Sequence, residues 1–184
     1  MGSHANKQAA LELAATIDSR IIYKGAFISV RRDEIDYPNG LHKTWDIVLH
    51  PGAVAIIPIT QEGHLILVEQ WRRAIGKITL ELPAGLIEPG EAPEVSAQRE
   101  LQEEIGKKAE TLTYLRPYYS SPGVYTEKIH LFVGKDLIPS PLQGEDTDEI
   151  DIQVVSFNQA FKLIEDGTIC DAKTALGILL VGRP

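Results

Sequence analysis

Residues 85–107 read Gly85-Leu-Ile-Glu-Pro-Gly-Glu91-Ala-Pro-Glu-Val-Ser-Ala-Gln-Arg99-Glu100-Leu101-Gln-Glu103-Glu104-Ile-Gly106-Lys107, a loop that leads into a helix-forming segment. Pro93 favours the first turn of a helix, and Gly106 suits the left-handed residue that often ends one. Acidic side chains such as Glu91 and Glu94 stabilise the positive end of a helix. The stretch therefore predicts a helix over about 92–105.

The predicted helix has an apolar stripe and an acidic flank. Residues four positions apart share a helix face, which places three residues on the side expected to meet the core: Ala97, Leu101 and Ile105. Three carboxylates lie beside that stripe: Glu100, Glu103 and Glu104. Like charges at this spacing repel one another, and hard oxygen ligands suit Mg²⁺ or Mn²⁺. The flank is either a solvated acidic face or a divalent metal site, and the full loop-helix pattern favours the metal site.

The composition bounds the size and the partners of the protein. A chain of 184 residues with 43% hydrophobic content fits one domain with a buried core, with or without a small N-terminal extension. With 26 acidic and 18 basic residues, the formal charge of −8 argues against broad electrostatic contact with nucleic acid or an anionic membrane surface. We expect a small-molecule substrate, because a small anion can bind through metals and a few arginines.

The cysteine content and the hydropathy pattern predict a cytoplasmic protein. The single Cys170 excludes an intramolecular disulfide, which is typical of a reducing compartment, and it is more readily a core residue than a nucleophile. The sequence contains no apolar run near 18 residues and no signal-peptide segment.

We expect three regions along the chain. Residues 1–19 contain Met1-Gly-Ser-His4, which resembles an expression scar, and then residues that predict a short helix or a mobile arm. Residues 20–50 have β-type patterns and a hairpin turn at Pro38-Asn39-Gly40, so they predict a small antiparallel sheet. That sheet is short for an independent core, so its apolar face is expected to need a partner. Residues 51–184 form the main domain.

The main domain is predicted to be a mixed sheet flanked by helices. Strands are expected at 53–59, 64–70, 112–118, 128–133 and 150–157, and helices beyond the acidic one at about 158–166 and 172–181. Asp171 is expected to cap the last helix.

The spacing within residues 85–107 resembles the Nudix box, which marks hydrolases that split a diphosphate attached to another group. Motifs at 50–54, 70–73, 82–85 and 120–123 are similar to the branch of that family with ADP-ribose pyrophosphatases and nucleoside-diphosphate-sugar hydrolases. The resemblance covers roughly residues 45–177. It implies the α/β class, with a Nudix-type α/β/α sandwich and mixed sheet in 51–184, plus the small N-terminal antiparallel sheet in 20–50.

The resemblance also implies where metal would bind. Glu100 and Glu104 would be ligands, the backbone carbonyl of Ala84 would complete the set, and Glu103 would assist a further ion. Arg99 would orient this carboxylate cluster from the same helix. The implied cofactor is Mg²⁺, with Mn²⁺ as an alternative.

In the branch that the chain resembles, the base that activates water comes from an acidic loop late in the chain, here residues 144–151. Glu149 is the first choice, because it stands immediately before a predicted strand whose ladder would fix the end of the loop. Glu127 and Glu145 are the competitors, and Glu127 is more readily a residue that orients substrate. A plain solvated turn is the alternative interpretation of the acidic loop.

Substrate-binding candidates come from several segments. A guanidinium fork binds phosphate oxygens bidentately, so Arg72 is a candidate clamp for the diphosphate, or else a surface arginine beside Trp71. Aromatic faces can hold any base, so Phe27 and Trp45 could stack on a nucleobase, although such residues are more often core. The predicted set also contains three further residues: Glu81, Pro122 and Gly123. The resemblance places the Pro122-Gly123 turn beside the sugar.

The predicted function is metal-dependent hydrolysis of the diphosphate in ADP-ribose or a nucleoside diphosphate sugar, giving a nucleoside monophosphate and a sugar phosphate. Two alternatives stay open: a hydrolase of another nucleotide, such as a dinucleotide polyphosphate, and a sensor that binds nucleotide sugars without turnover. The presence of four glutamates in the box disfavours the sensor: Glu91, Glu100, Glu103 and Glu104. The resemblance further implies a domain-swapped homodimer, in which residues 20–50 help to form the neighbour's active site.

Overall fold

The computed structural model describes residues 4–144 and 150–182. These residues divide into two compact units. The first unit contains residues 4–50 and 121–127, and the second contains residues 51–120, 128–144 and 150–182.

The first unit has one helix and a three-stranded antiparallel sheet. Helix α1 (His4–Leu13) precedes three strands that pair in chain order: β1 (Thr16–Lys24), β2 (Ser29–Asp36) and β3 (His42–Leu49). The predicted turn at 38–40 lies between β2 and β3, and Gly40 has a φ of 83°. Residues 16–19 differ from the expected helix or arm. They lie in β1, because the β-branched Thr16 and Ile17 favour a strand and find pairing partners in β2.

Residues 121–127 join this first unit through the end of β3. The Val48 amide donates to the Val124 carbonyl at 2.8 Å, and the Thr126 amide donates to the Val48 carbonyl at 3.0 Å. The His50 amide donates to Thr126 Oγ1 at 2.9 Å. A segment remote in sequence is thereby held at a fixed place against β3.

The second unit contains two sheets and three helices. Its elements are β4 (Ala53–Pro58), β5 (Leu65–Arg72), β6 (Lys77–Glu81), β7 (Ala84–Leu86), α2 (Pro93–Ile105), β8 (Lys107–Tyr119), β9 (Lys128–Pro139), β10 (Asp151–Val155), α3 (Phe157–Glu165) and α4 (Ala172–Val181). A mixed sheet has the order β7-β4-β9-β8, in which only β4 and β9 are parallel. An antiparallel sheet has the order β10-β5-β6.

Buried residues of β4 enter different core clusters in alternation. Val54 and Ile56 pack in a cluster with three residues of α2: Ala97, Leu101 and Ile105. Ile57 packs in a second cluster with Ala160 of α3 and Ile178 of α4. Every residue of β4 is buried, which agrees with the continuous apolar run in its sequence. The predicted α/β class, with a mixed sheet covered by helices, is confirmed.

The helix signals in the sequence are confirmed in detail. Helix α2 begins with Pro93 and ends before Gly106, which has a φ of 66°. Asp171 caps α4, since its side chain accepts from the Thr174 amide at 3.0 Å. None of the helices in the described part of the chain has the length and apolar character needed to span a membrane.

Further local features differ from the sequence-based expectation, and β8 and β9 also extend beyond the predicted 112–118 and 128–133. Strands β6 and β7 lie outside the predicted strands, because Lys77–Glu81 and Ala84–Leu86 are short, and the second carries no β-branched or aromatic residue. The expected core position of Cys170 is wrong. Its side chain is exposed in the connection between α3 and α4, whereas the neighbouring Ile169 is buried.

Candidate active site

Arg99 lies at the centre of the acidic flank of α2. Its Nη1 donates to Glu100 at 2.7 Å and to Glu103 at 3.0 Å. Its Nε and Nη2 donate to Glu91 at 3.3 and 3.2 Å, and Nη2 also donates to the Leu86 carbonyl at 3.0 Å. Although burial opposes the charged guanidinium, these acidic partners raise the pKa of Arg99 above its ordinary value. Arg99 thus neutralises part of the flank and joins α2 to the end of β7.

Glu104 lies in a different environment on the same helix. Its Oε2 accepts a hydrogen bond from the Ala84 amide at 3.0 Å. Burial, followed by repulsion from Glu100, raises the pKa of Glu104 to about 8. Burial also raises the pKa of Glu100, although Arg99 opposes the rise. The negative charge of this carboxylate pair is therefore incompletely balanced by the protein itself.

The backbone of β7 approaches the carboxylates closely. Gly85 pairs with Val54 of β4, and a Cβ atom at position 85 would collide with the Glu100 carboxylate. Only glycine permits this approach without displacing the acidic side chain. The neighbouring Ala84 pairs with Ala55, so two strands hold the loop that precedes the helix.

The donor set suits a hard divalent cation, because it combines carboxylate oxygens of raised pKa with a nearby backbone strand. Arg99 binds Glu100 and Glu103, whereas Glu104 bonds to Ala84, so the expected group of three carboxylates is divided between two partners. Within residues 4–144 and 150–182, no three His, Cys, Asp or Glu side chains form a group arranged for metal.

Arg72 and Glu81, two of the predicted substrate-binding residues, contact each other. Arg72 Nε and Nη2 donate to the two Glu81 oxygens at 2.8 and 2.7 Å, which is a bidentate pair. The Glu81 carboxylate is buried, and the Arg72 side chain is 38% exposed. The Arg72 guanidinium, a candidate clamp for the diphosphate, therefore binds the Glu81 carboxylate through Nε and Nη2.

A polar network that the sequence did not reveal surrounds Glu81. Thr79 Oγ1 donates to Glu81 at 2.5 Å, and Lys173 Nζ at the start of α4 also donates to this carboxylate. Lys173 Nζ further donates to Asp171 at 2.9 Å. Burial disfavours the charged carboxylate, but Arg72 and Lys173 outweigh it and lower the pKa of Glu81 to about 2. Glu81 is thus a buried charge with a full set of partners.

The first unit carries five of the remaining candidates, and Glu127 is one of them. Phe27 lies between β1 and β2 and is 71% exposed, and Trp45 of β3 is 42% exposed, so the alternative interpretation of both as core residues is wrong. Pro122 and Gly123 are exposed in the segment that β3 holds.

Glu127 ends the same segment. Its Oε1 lies 3.6 Å from His50 Nε2, and the Glu127 side chain is mostly buried. The preferred base, Glu149, and its competitor Glu145 lie outside the described residues.

Comparisons with known proteins identify the class. A family model described as NUDIX domain matches residues 49–175. The chain is 39% identical over 165 residues to an ADP-ribose pyrophosphatase of Bacillus subtilis (strain 168), with 89% of each protein covered. It is equally 39% identical over 165 residues to a methanol dehydrogenase activator of Bacillus methanolicus, again with 89% of each covered. A crystal structure of ADP compounds hydrolase matches with a TM-score of 0.82 at 27% identity and covers 91% of each chain.

The chain belongs to the Nudix family. The family model covers the strands and helices that build the acidic site. The predicted enzyme class, a Nudix pyrophosphohydrolase, is confirmed.

Proposed function

We propose that the protein hydrolyses the diphosphate of ADP-ribose or of a nucleoside diphosphate sugar. The observation that carries this proposal is the acidic site of α2, in a chain similar over most of its length to an ADP-ribose pyrophosphatase. Water attacks one phosphorus and the bridging P–O bond on that phosphorus breaks. The products are a nucleoside monophosphate and a sugar phosphate.

We assign a divalent metal to the acidic flank of α2, Mg²⁺ in the first place and Mn²⁺ as the alternative. Glu100, Glu104 and the Ala84 carbonyl are the proposed ligands, and Glu103 assists a further ion. The fit rests on hard oxygen donors, on unbalanced negative charge and on Gly85, where any side chain would displace Glu100. When bound, the metal supplies positive charge that neutralises phosphate oxygens.

Arg99 has a positioning role in this proposal. It fixes Glu100 and Glu103 through Nη1 and ties the helix to the Leu86 carbonyl. With these carboxylates oriented before substrate arrives, little reorganisation is needed during the reaction.

Substrate contacts are proposed for the residues singled out in the sequence. Arg72 clamps the diphosphate with the part of its guanidinium that Glu81 leaves accessible. Phe27 and Trp45 offer exposed aromatic faces for a nucleobase. The turn with Pro122 and Gly123 contacts the sugar, and Glu127 orients the substrate.

The water-activating base is proposed to be Glu149. A general base must accept the proton of the attacking water at the moment when the oxygen–phosphorus bond forms. Glu149 precedes β10, whose pairing with β5 begins at Asp151 opposite Glu69. This pairing fixes the chain two residues beyond the proposed base, which is the support that a catalytic group requires.

The first unit supports the proposal of a homodimer. The register places Ile17 and Ile21 on one face of the sheet together with the Arg31–Asp33 ion pair, and both isoleucines are exposed. The opposite face carries charge pairs such as Arg32 with Asp46. A second copy that covers the two isoleucines would remove them from water. The domain swap across the two-fold axis and the cytoplasmic location both stay predictions.

The oligomeric state can be tested with a matched pair of variants. Ile21→Lys places a charge on the face of β1 that carries the two isoleucines, and Asp18→Lys makes a similar change on the opposite face. Light scattering at micromolar concentration should show a dimer for the wild type and for Asp18→Lys, and a monomer for Ile21→Lys. A wild-type monomer with full activity contradicts the proposal.

The activity is tested by product release from a panel of ADP-ribose, GDP-mannose, UDP-glucose and a dinucleotide polyphosphate. Each substrate is incubated with Mg²⁺, with Mn²⁺ or with EDTA, and nucleoside monophosphate is measured by chromatography. We expect ADP-ribose or a nucleoside diphosphate sugar to be cleaved fastest and EDTA to abolish turnover. Preference for the dinucleotide favours the alternative hydrolase, and binding without turnover of any substrate favours the sensor.

A further inference from the structure

Glu81 is a buried carboxylate whose donors come from three separate elements. Arg72 belongs to β5, Thr79 to β6 and Lys173 to α4. A buried charge is costly unless it is paired and hydrogen-bonded, and removing one partner leaves the others with an uncompensated charge. The orientation of each member therefore depends on the presence of the others.

The Arg72 guanidinium is fixed on one side only. Nε and Nη2 are bound to Glu81, and Nη1 hydrogen-bonds to none of the described residues. Because a planar fork held at two nitrogens cannot rotate freely, the direction of Nη1 is set by the position of the Glu81 carboxylate. An anion that meets Nη1 meets a group that is already oriented.

The first turn of α4 holds the segment that carries Glu81. Lys173 is 15% exposed and bonds to Glu81, while Asp171 binds both Lys173 and the Thr174 amide. Thr174 Oγ1 in turn accepts from the Leu82 amide at 2.9 Å. Glu81, the last residue of β6, and Leu82, which follows it, are thus both tied to α4 across 92 positions of sequence.

We propose that Lys173 is a positioning residue that holds the Glu81 carboxylate and, through it, orients Arg72 toward the diphosphate. The proposal rests on the proposed function for the identity of the anion. Lys173 Nζ donates to two carboxylates of the protein itself, Glu81 and Asp171, which favours this role over direct contact between Lys173 and substrate. Lys173 also balances charge, because two cationic and two acidic side chains make up the network.

The experiment compares Lys173→Met, Glu81→Gln and the double variant in the full chain. Lys162→Met is the matched control, because Lys162 is an exposed lysine in α3. Two quantities are measured: kcat and KM for ADP-ribose, and the NMR signal of the Arg72 Nε–H group with its rate of hydrogen exchange. The signal is assigned by its loss in Arg72→Lys.

We expect Lys173→Met to speed exchange of the Arg72 Nε–H by about tenfold or more, because the carboxylate that binds it is no longer fixed. The ratio kcat/KM should fall by about 10- to 100-fold, the usual effect of losing a supporting partner, and mostly through KM. In the Glu81→Gln background the same change should add less than about threefold, because both residues act through one route. Lys162→Met should match the wild type.

Two results overturn the proposal. One is an Arg72 signal that does not differ between Lys173→Met and the control, which indicates that Lys173 acts elsewhere or contacts substrate directly. The other is a double variant whose losses multiply. If Lys173→Met fails to fold, Lys173→Gln is measured instead. Its neutral amide can still donate to Glu81, so it should speed exchange of the Arg72 Nε–H less than tenfold but measurably above Lys162→Met, and an exchange rate equal to that control overturns the proposal. The NMR measurement needs no substrate, so it decides the proposal even if ADP-ribose is not cleaved.

Discussion

Glu104 and Glu81 are both shielded glutamates in the second unit, yet their pKa values move in opposite directions. The pKa of Glu104 is raised to about 8 by burial and by the neighbouring Glu100. The pKa of Glu81 is lowered to about 2, because Arg72, Lys173 and Thr79 outweigh its burial. The same chemical group is therefore under-compensated at one place and fully compensated at the other.

This difference separates a binding site from a supporting network. Glu104 has one backbone donor, Ala84, and a like charge nearby, so an added cation would lower the free energy of the site. Glu81 has its cations within the protein and would gain nothing from another. Charge balance therefore distinguishes the two carboxylates more clearly than burial does.

The largest effect is expected when the proton acceptor, and not the metal cluster, is changed. Glu149→Gln should lower kcat by roughly 100- to 10,000-fold, because an amide cannot accept the proton of the attacking water. Steady-state kinetics at several Mg²⁺ concentrations should show little change in metal affinity. A normal kcat would transfer the role to another acidic residue, and Glu127→Gln, expected to act more on KM, is the companion variant.

Removing the under-compensated charge should abolish activity without harming the fold. Glu104→Gln should reduce the rate by on the order of 100-fold or more, because a proposed metal ligand is lost. In metal-free protein the variant should be as stable as the wild type or slightly more so, since like-charge repulsion is relieved. Denaturant unfolding with EDTA measures the stability, and the exposed Glu110→Gln is the control. Near-normal rates at saturating Mg²⁺ would refute the assignment.

Removing the fully compensated charge should have the opposite effect on stability. Glu81→Gln leaves Arg72 and Lys173 without their shared carboxylate, so we expect the free energy of unfolding to fall by about 2 kcal/mol. The measurement is denaturant unfolding at neutral pH beside Glu104→Gln. If Glu81→Gln and Glu104→Gln had equal free energies of unfolding, the proposed difference in charge balance between the two carboxylates would be contradicted.

The smallest predicted effect is the pH dependence that Glu81 gives to the free energy of unfolding. Its folded pKa of about 2 lies below the ordinary value of 4.5, so its stabilising contribution is complete above pH 4.5 and is lost as the pH falls toward 2. At pH 3.5 the loss should be about 1 kcal/mol. Denaturant unfolding of wild type and Glu81→Gln at pH 6 and 3.5 measures this loss. The difference between their free energies of unfolding should be smaller at pH 3.5 than at pH 6. A difference in the free energy of unfolding that is the same at both pH values contradicts the lowered pKa of Glu81.

The sequence predicts the acidic helix well because its signals are local. Pro93 starts α2, Gly106 adopts the left-handed conformation after it, and a four-residue spacing places Leu101 in the core. Each signal acts within one or two turns of the chain, so no knowledge of tertiary structure is needed. The same holds for Asp171, which caps α4.

The Glu81 network could not be predicted, because its bonds join residues far apart in sequence. The contact of Lys173 with Glu81 spans 92 positions, and neither residue stands in a pattern that indicates a partner. Strand β7 was missed for a related reason. Ala84–Leu86 is short and begins with two small residues, so its sequence does not indicate a strand. The strand forms because β4 pairs with it.

The hydrogen bonds between β3 and residues 121–127 have a consequence for the expression of either unit as a separate fragment. A fragment of residues 51–184 contains this segment but not Val48, whose amide and carbonyl bind its backbone. The freed groups would turn to water, and the Pro122-Gly123 turn would lose its fixed place. The chain passes from the first unit to the second at residues 50 and 51. A fragment that ends at residue 50 would nevertheless lack residues 121–127 of the first unit, because these residues would remain in the fragment that begins at residue 51.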